Sequence, residues 1–214
     1  MSIVTSFTFN AFQENTYIIE DSESKKAIII DPGCEVSTER EQILDHLAKK
    51  RLDLVAILNT HCHVDHVFGN AFLKSKYPDV PLCIHRGELT TLQAYPTFAA
   101  MYGFAAEPSP DPDRYLDGGE IFKFGNIELK ILFTPGHSPA SISFYNEQED
   151  YIIAGDVLFR ESIGRTDLPG GSYDTLINSI RKHFLSLPDH ITVYSGHGPQ
   201  TTIGHEKRNN PFLQ

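Results

Sequence analysis

The chemistry of this chain concentrates between Thr60 and His66, where the sequence reads T-H-C-H-V-D-H. His61 and His63 stand two apart at the end of an extended run, so their imidazoles project to the same side while Cys62 points away. Asp65 and His66 fall at the first turn of a helix and face the same pocket from another direction. Four borderline-to-hard ligands so close together exceed what one tetrahedral ion with an open position can use. They suit two ions sharing a pocket.

A second ion needs further ligands, and three positions later in the chain supply them. His137 stands in T-P-G-H-S, Asp156 in A-G-D and His197 in S-G-H-G, each just after a strand-like run and each preceded by glycine. A glycine there lets the backbone turn tightly as a strand ends. Taken singly, a G-H or G-D pair is more often just a turn residue with a polar tip; the cluster at 61–66 makes ligands of them. The expected assignment puts His61, His63 and His137 on one metal and Asp65, His66 and His197 on the other, with Asp156 bridging. Cys62 reads as a packing residue, Cys34 and Cys83 as small buried hydrophobes. His46 and His183 read as solvated, and His85 and His205 as outer partners of the site.

These ligands require strands that end together. Strand-like runs are expected at Ile3–Phe9, Thr16–Glu20, Ala27–Asp31, Leu54–Leu58 and Pro81–His85 in the first half. In the second half they fall at Glu120–Phe124, Ile127–Phe133, Ser141–Asn146, Tyr151–Ala154 and Ile191–Ser195. Helices are expected from Thr38, capped by Glu41, to Lys50, from Asp65 to Lys76, and from Ser172 to Leu185. Residues 86–114 are helical through Leu92 and then irregular and proline-rich, which suggests a lid over the pocket. Two sheets face to face with helices outside bury such runs on both sides. The expected fold is therefore an α/β sandwich, with residues 1–214 as one domain.

Composition narrows the function. Of 214 residues, 18 are Lys or Arg and 28 are Asp or Glu, a formal charge of −10 that repels a phosphate backbone and sets nucleic acid aside as a partner. Three cysteines without a C-x-x-C pair are no disulfide framework and suit a reducing compartment. No basic, apolar leader opens the sequence and no apolar run reaches bilayer length, so a cytoplasmic protein without membrane contact is expected.

H-x-H-x-D-H followed by a lone His, a G-D and a final G-H resembles the metallo-β-lactamase superfamily over nearly the whole chain. That resemblance implies a four-layer αβ/βα sandwich. A-F-Q-E-N-T-Y-I-I, V-L-F-R-E-S-I-G-R-T-D-L-P-G-G and G-H-G-P-Q-T-T-I-G-H-E-K-R-N-N-P-F resemble the short bacterial glyoxalase II-like (hydroxyacylglutathione hydrolase-like) proteins. Such proteins hydrolyse glutathione thioesters, typically S-D-lactoylglutathione. The resemblance implies two divalent ions, zinc first, with iron or manganese as the other metals these donors accept. It makes Asp65 and Asp156 the residues that hold the attacking water. Arg165 aligns with a basic residue used on the glutathione moiety, and Lys207 and Arg208 are further candidates for the small-molecule thioester. Persulfide dioxygenases share the first motif and a G-R-T-D run but use one iron; the Q-E-N-T-Y start and G-H-G-P-Q-T-T-I-G ending favour the hydrolase. Lactonases and nucleases of the superfamily share the ligands. The β-lactamase branch itself lacks the bridging carboxylate of Asp156.

Overall fold

Isoleucine-rich runs near the start of the chain form the centre of a six-stranded sheet. The computed structural model describes every residue from Met1 to Gln214. The chain divides into two compact units, Met1–Leu116 with Lys123–Ile127, and Asp117–Phe122 with Glu128–Gln214.

The sheet of the first unit runs in order β1 (Ser2–Phe9), β2 (Glu14–Asp21), β3 (Lys26–Ile30), β4 (Asp53–Leu58), β5 (Leu82–Ile84) and β6 (Arg114–Tyr115). Its first three strands are antiparallel and the rest pair in parallel. Parallel strands are covered on both faces and read as continuous apolar runs. Accordingly Ile28, Ile29, Ile30, Ile57 and Leu58 are fully buried. Ile30 pairs with Leu58, so the segments leaving β3 and β4 emerge side by side. The connection between these strands is α1 (Ser37–Lys50), whose Ile43 and Leu47 pack with Ile29, Leu54 and Ile57. Its cap differs from the expected Thr38–Glu41 pair. Glu39 accepts from the N–H groups of Glu35 (2.7 Å) and Val36 (3.3 Å), one turn earlier, and the helix starts at Ser37.

Two other elements of this unit depart from expectation. The helix expected over 65–76 is broken into α2 (Val64–Val67) and α3 (Asn70–Lys76). The Gly69 N–H donates to the Pro32 carbonyl (2.7 Å) and not up its own helix, and the Asp65 carbonyl accepts from Asn10 Nδ2 (3.0 Å). Beyond Leu92 the chain continues as α4 (Leu89–Met101), with Pro96 inside it. Leu92, Tyr95 and Ala99 recur at helical spacing and are buried, and that stripe carries the helix past the proline. Tyr95 meets Phe68 edge-on at 5.9 Å. His46, expected in solvent, is half-buried with its ring edge-on to Phe7 (5.3 Å), and burial lowers its pKa.

The second unit follows with β7 (Ile121–Phe124, which begins in it), β8 (Ile127–Phe133), β9 (Ile142–Asn146), β10 (Tyr151–Gly155), a small hairpin β11 (Leu158–Phe159) and β12 (Ser162–Ile163), α5 (Tyr173–His183), β13 (Thr192–Ser195), β14 (Thr201–Thr202) and α6 (Ile203–Asn209). Its six-stranded sheet has the order β14-β13-β10-β9-β8-β7. Ser172 caps α5 by accepting from the Thr175 N–H (3.3 Å). Leu176, Ile177 and Ile180 of that helix pack with Ile152, Val157 and Val193. β10 and β13 pair in parallel with Gly155 opposite Ser195, so the segments carrying Asp156 and His197 also leave side by side. No helix is long and apolar enough to cross a membrane.

Candidate metal centre

In the first unit the two neighbouring strand ends build a histidine cluster. Asp31 leaves β3 in a left-handed conformation (φ 50°), which Asp tolerates better than most residues. Its carboxylate accepts from the Thr60 N–H (2.7 Å) and from Thr60 Oγ1 (2.6 Å), and Oδ2 lies 3.1 Å from His66 Nδ1. Thr60 has one hydroxyl proton. Since Asp31 takes it, the 3.0 Å contact between Thr60 Oγ1 and His61 Nδ1 is a donation from the imidazole. His61 Nδ1 is thereby held from behind and its ring presents Nε2 as a ligand atom, while His66 Nδ1 faces the Asp31 carboxylate. The ring centroids of His61 and His63 lie 4.7 Å apart and those of His61 and His66 4.1 Å, as the same-side geometry requires. His66 Nε2 is 3.6 Å from Asp65 Oδ2.

Several residues that fix this loop were not read from the sequence. The buried Glu88 carboxylate accepts from the Cys62 N–H (3.0 Å), pinning the peptide between His61 and His63. Asn59 Nδ2 donates to the His66 carbonyl (3.1 Å), and Asn10 Nδ2 bridges the carbonyls of Gly33 and Asp65 at 3.0 Å each. Gly33 is irreplaceable for space: a Cβ there would come within 2.1 Å of Glu14 Oε2 and 2.6 Å of the Asp65 carbonyl. Glu14 is wholly buried, with Oε1 3.9 Å from His66 Nδ1. Burial pushes its carboxyl well above the usual range, against the opposing pull of His66. The signal for Asp31 and Glu14 was present: each is an acid at the edge of an apolar strand, where a carboxylate needs a partner. Burial, with Glu88 and Asp31 adding to it, also pushes the Cys62 thiol up, so Cys62 is a neutral packing residue.

The second unit holds the other three expected ligands, with His137 and His197 facing one carboxylate oxygen of Asp156. Gly136 (φ 132°) and Gly155 (φ 56°) have positive φ before His137 and Asp156, and the Gly196 N–H donates to the Gly155 carbonyl (2.9 Å). Nε2 of His137 lies 3.4 Å, and Nε2 of His197 3.5 Å, from Asp156 Oδ2. These contacts are too long for good hydrogen bonds. They match the roughly 3.3–3.5 Å that separates two ligands of a tetrahedral ion at bond lengths of about 2.0–2.1 Å. Behind His137, Nδ1–H donates to the Arg165 carbonyl (2.8 Å), again leaving Nε2 as the ligand atom. The donor set, its tautomers and these spacings fit divalent metal ions.

The basic residues expected at a substrate have partners in their own unit. Arg165 forks onto Asp167 through Nε and Nη2, both at 2.7 Å, and this hydrogen-bonded pairing holds the Asp167 carboxyl down at about 2. Lys207 donates to Asp189 Oδ1 and to the Leu187 carbonyl, both at 2.9 Å, while Arg208 reaches Asp189 Oδ2 at 3.2 Å. These two cations tie α6 to the loop before β13. Of the two outer histidines, His85 accepts from the Gly87 N–H (3.1 Å) and His205 Nε2 lies 2.9 Å from Glu161 Oε1.

Comparison with known proteins gives the family of this chain. Residues 9–197 match the family model described as the metallo-beta-lactamase superfamily. The chain belongs to that superfamily, has its α/β fold with two sheets flanked by helices, and is a metallo-hydrolase of that class. A hydroxyacylglutathione hydrolase named GloC, from Haemophilus influenzae, is 40% identical over 95% of this chain and 94% of its own length. Among solved structures, BLEG-1, a B3 metallo-beta-lactamase, superposes with a TM-score of 0.90 at 34% identity, covering 99% of this chain and 100% of its own. TTHA1623 in a di-iron-bound form does so with 0.88 at 38% identity, covering 98% and 100%.

Proposed function

We propose that this chain is a dinuclear metal-dependent thioesterase acting on glutathione thioesters such as S-D-lactoylglutathione. The observation that carries the reading is Asp156, whose Oδ2 faces two histidine Nε2 atoms at ligand-to-ligand spacing. A carboxylate so placed is what two ions sharing one nucleophile need. His61, His63 and His137 hold one ion, Asp65, His66 and His197 the other, and Asp156 bridges. Similarity to the hydroxyacylglutathione hydrolase supports the substrate class.

Bound there, divalent ions supply a hydroxide at neutral pH and a Lewis acid for the thioester carbonyl. Asp65 and Asp156 orient the attacking oxygen as acceptors. The thiol leaves as thiolate, whose conjugate acid has a pKa of only about 8.5, so no protein acid is required. An amide nitrogen would need one, which favours a thioester. Arg165 binds the thiol-bearing half through its guanidinium, and residues 86–114 cover the acyl side. Aromatic contacts support the latter: Phe12 meets Tyr102 and Phe104 at 5.6 and 5.5 Å, and Phe68 meets Phe104 at 5.3 Å, beside the helix that carries Asp65 and His66. We take zinc as the native metal, and three unpaired thiols support a reducing, cytoplasmic setting.

The test is a substrate panel on metal-loaded protein, with thiol release and oxygen uptake followed together. Stoichiometric thiol release from S-D-lactoylglutathione without oxygen uptake is expected. Oxygen uptake with glutathione persulfide, or turnover confined to a β-lactam, would overturn the reading.

A further inference from the structure

We propose that Glu206, on the C-terminal helix, is a positioning residue for the metal ligand His137 and acts on it through the β11–β12 hairpin. The inference rests on the reading of His137 as a ligand. Glu206 is wholly buried. Its Oε2 accepts from the Glu161 N–H (2.9 Å) and from Asn210 Nδ2 (2.8 Å), and the same Asn210 amide reaches the Ser162 carbonyl (2.9 Å). Oε1 accepts from Thr201 Oγ1 (2.5 Å). The carboxylate directly, and the Asn210 amide that it holds, thus strap Glu161 and Ser162 on the outgoing side of the hairpin turn to the end of α6.

The strap meets a need at that turn. Glu161 sits at φ 57°, a conformation that a residue with a Cβ holds only when its surroundings impose it. His205 adds its 2.9 Å contact to the Glu161 carboxylate, and at the hairpin base Ser195 Oγ donates to the Leu158 carbonyl (2.6 Å). From Ser162 the chain passes through Ile163 and Gly164 to Arg165, whose carbonyl accepts from His137 Nδ1 (2.8 Å). There is no slack on the way. A Cβ on Gly164 would lie 2.0 Å from the Asp156 carbonyl and 3.1 Å from His137 Cβ, so the hairpin exit is pressed onto both ligand-bearing segments. A shift of the turn therefore moves the carbonyl that fixes the His137 tautomer. A buried carboxylate is expensive to keep unless its hydrogen bonds are needed, and here they fix the conformation of a loop that carries no ligand of its own.

The test compares Glu206→Ala, Glu206→Gln and Thr201→Val. Gln can keep its oxygen toward Glu161 and Asn210 and turn its amide toward the Thr201 hydroxyl, so it should rescue. Thr201→Val removes only the bond on the far side of the carboxylate. Two readouts are used: the His137 tautomer in the metal-free protein by long-range ¹H–¹⁵N NMR, and zinc affinity by chelator competition. In Glu206→Ala the single Nδ1–H tautomer should give way to a mixture and zinc affinity should fall about tenfold or more. Glu206→Gln should match the wild type, and Thr201→Val should lower the melting temperature while leaving both readouts unchanged. A folded Glu206→Ala with wild-type tautomer and affinity would overturn the inference. Should that variant fail to fold, Asn210→Ala takes its place with the same expectation against Thr201→Val, and equal effects of the two would refute it. A wild-type protein with the Nδ1–H tautomer but no zinc affinity would instead count against His137 as a ligand.

Discussion

Gly164→Ala is the sharpest steric perturbation available near the ligands. A Cβ there would stand 2.0 Å from the Asp156 carbonyl oxygen, where real Cβ contacts stay beyond 3.0 Å, so the backbone must open by at least about 1 Å. The next residue is Arg165, whose carbonyl accepts from His137 at 2.8 Å; the same opening takes that contact to about 3.8 Å, outside hydrogen-bond range. Overpacking of about 1–3 kcal/mol and a lost buried hydrogen bond of about 1 kcal/mol sum to roughly 2–4 kcal/mol. At about 2–4 °C per kcal/mol for a chain of this size, the melting temperature should drop by roughly 5–15 °C. Zinc affinity should fall about 10–100-fold, as when an outer partner of a metal-ligating histidine is lost. Gly103→Ala is the control. Gly103 has φ 85° and nothing within 4 Å of its would-be Cβ, so that change should destabilise by about 1 kcal/mol without touching zinc binding. Calorimetry and chelator competition read both. A Gly164→Ala protein that melts and binds zinc like the wild type would refute the close approach and the coupling drawn from it.

Asp31→Asn should turn its amide N–H toward His66 Nδ1, forcing the proton onto Nε2, and lower zinc affinity by about 10–100-fold; NMR of the His66 ring shows whether the tautomer has switched. Burial pushes the thiols of Cys34 and Cys83 up to about 12 and that of Cys62 well up too, so iodoacetamide at pH 8 should label none of the three in the native protein and all of them after unfolding, by mass spectrometry. Arg165→Ala should raise KM for a glutathione thioester about tenfold with kcat nearly unchanged, and spare a small uncharged thioester. In the same variant the ¹³C titration midpoint of Asp167 should rise from about 2 toward about 3.9. Because the folded pKa is depressed, the stabilisation from that pair is complete above about pH 4 and is lost as pH falls through about 2.

Much of this molecule was legible in the sequence because its strands are buried on both faces. Ala27–Asp31 and Leu54–Leu58 read as buried strands and form β3 and β4, and the expected ligands in T-H-C-H-V-D-H and at the three glycine-preceded positions each follow a strand. What was not legible depended on contacts across long sequence separations. The break at Gly69 comes from a hydrogen bond to Pro32, and the capping role of Glu39 comes with its acceptance from Asn10, 29 residues away (2.7 Å). α4 outran its expected end at Leu92 because a buried stripe outweighed Pro96. The two-residue strands β6, β11, β12 and β14 are too short to show periodicity. The outer partners Glu88, Glu206 and Asn210 carry no local pattern; only burial marks them. Lys207 and Arg208, candidates for the substrate, meet Asp189 through the fold.

A dinuclear centre that releases thiol from a thioester needs a fixed number of metal ions per chain. The decisive measurement titrates metal-free protein with zinc while following thiol release from S-D-lactoylglutathione. Hydrolysis should be absent without metal and should reach its plateau at two equivalents per chain. A plateau at one equivalent, or two bound equivalents with no thiol released, would contradict it.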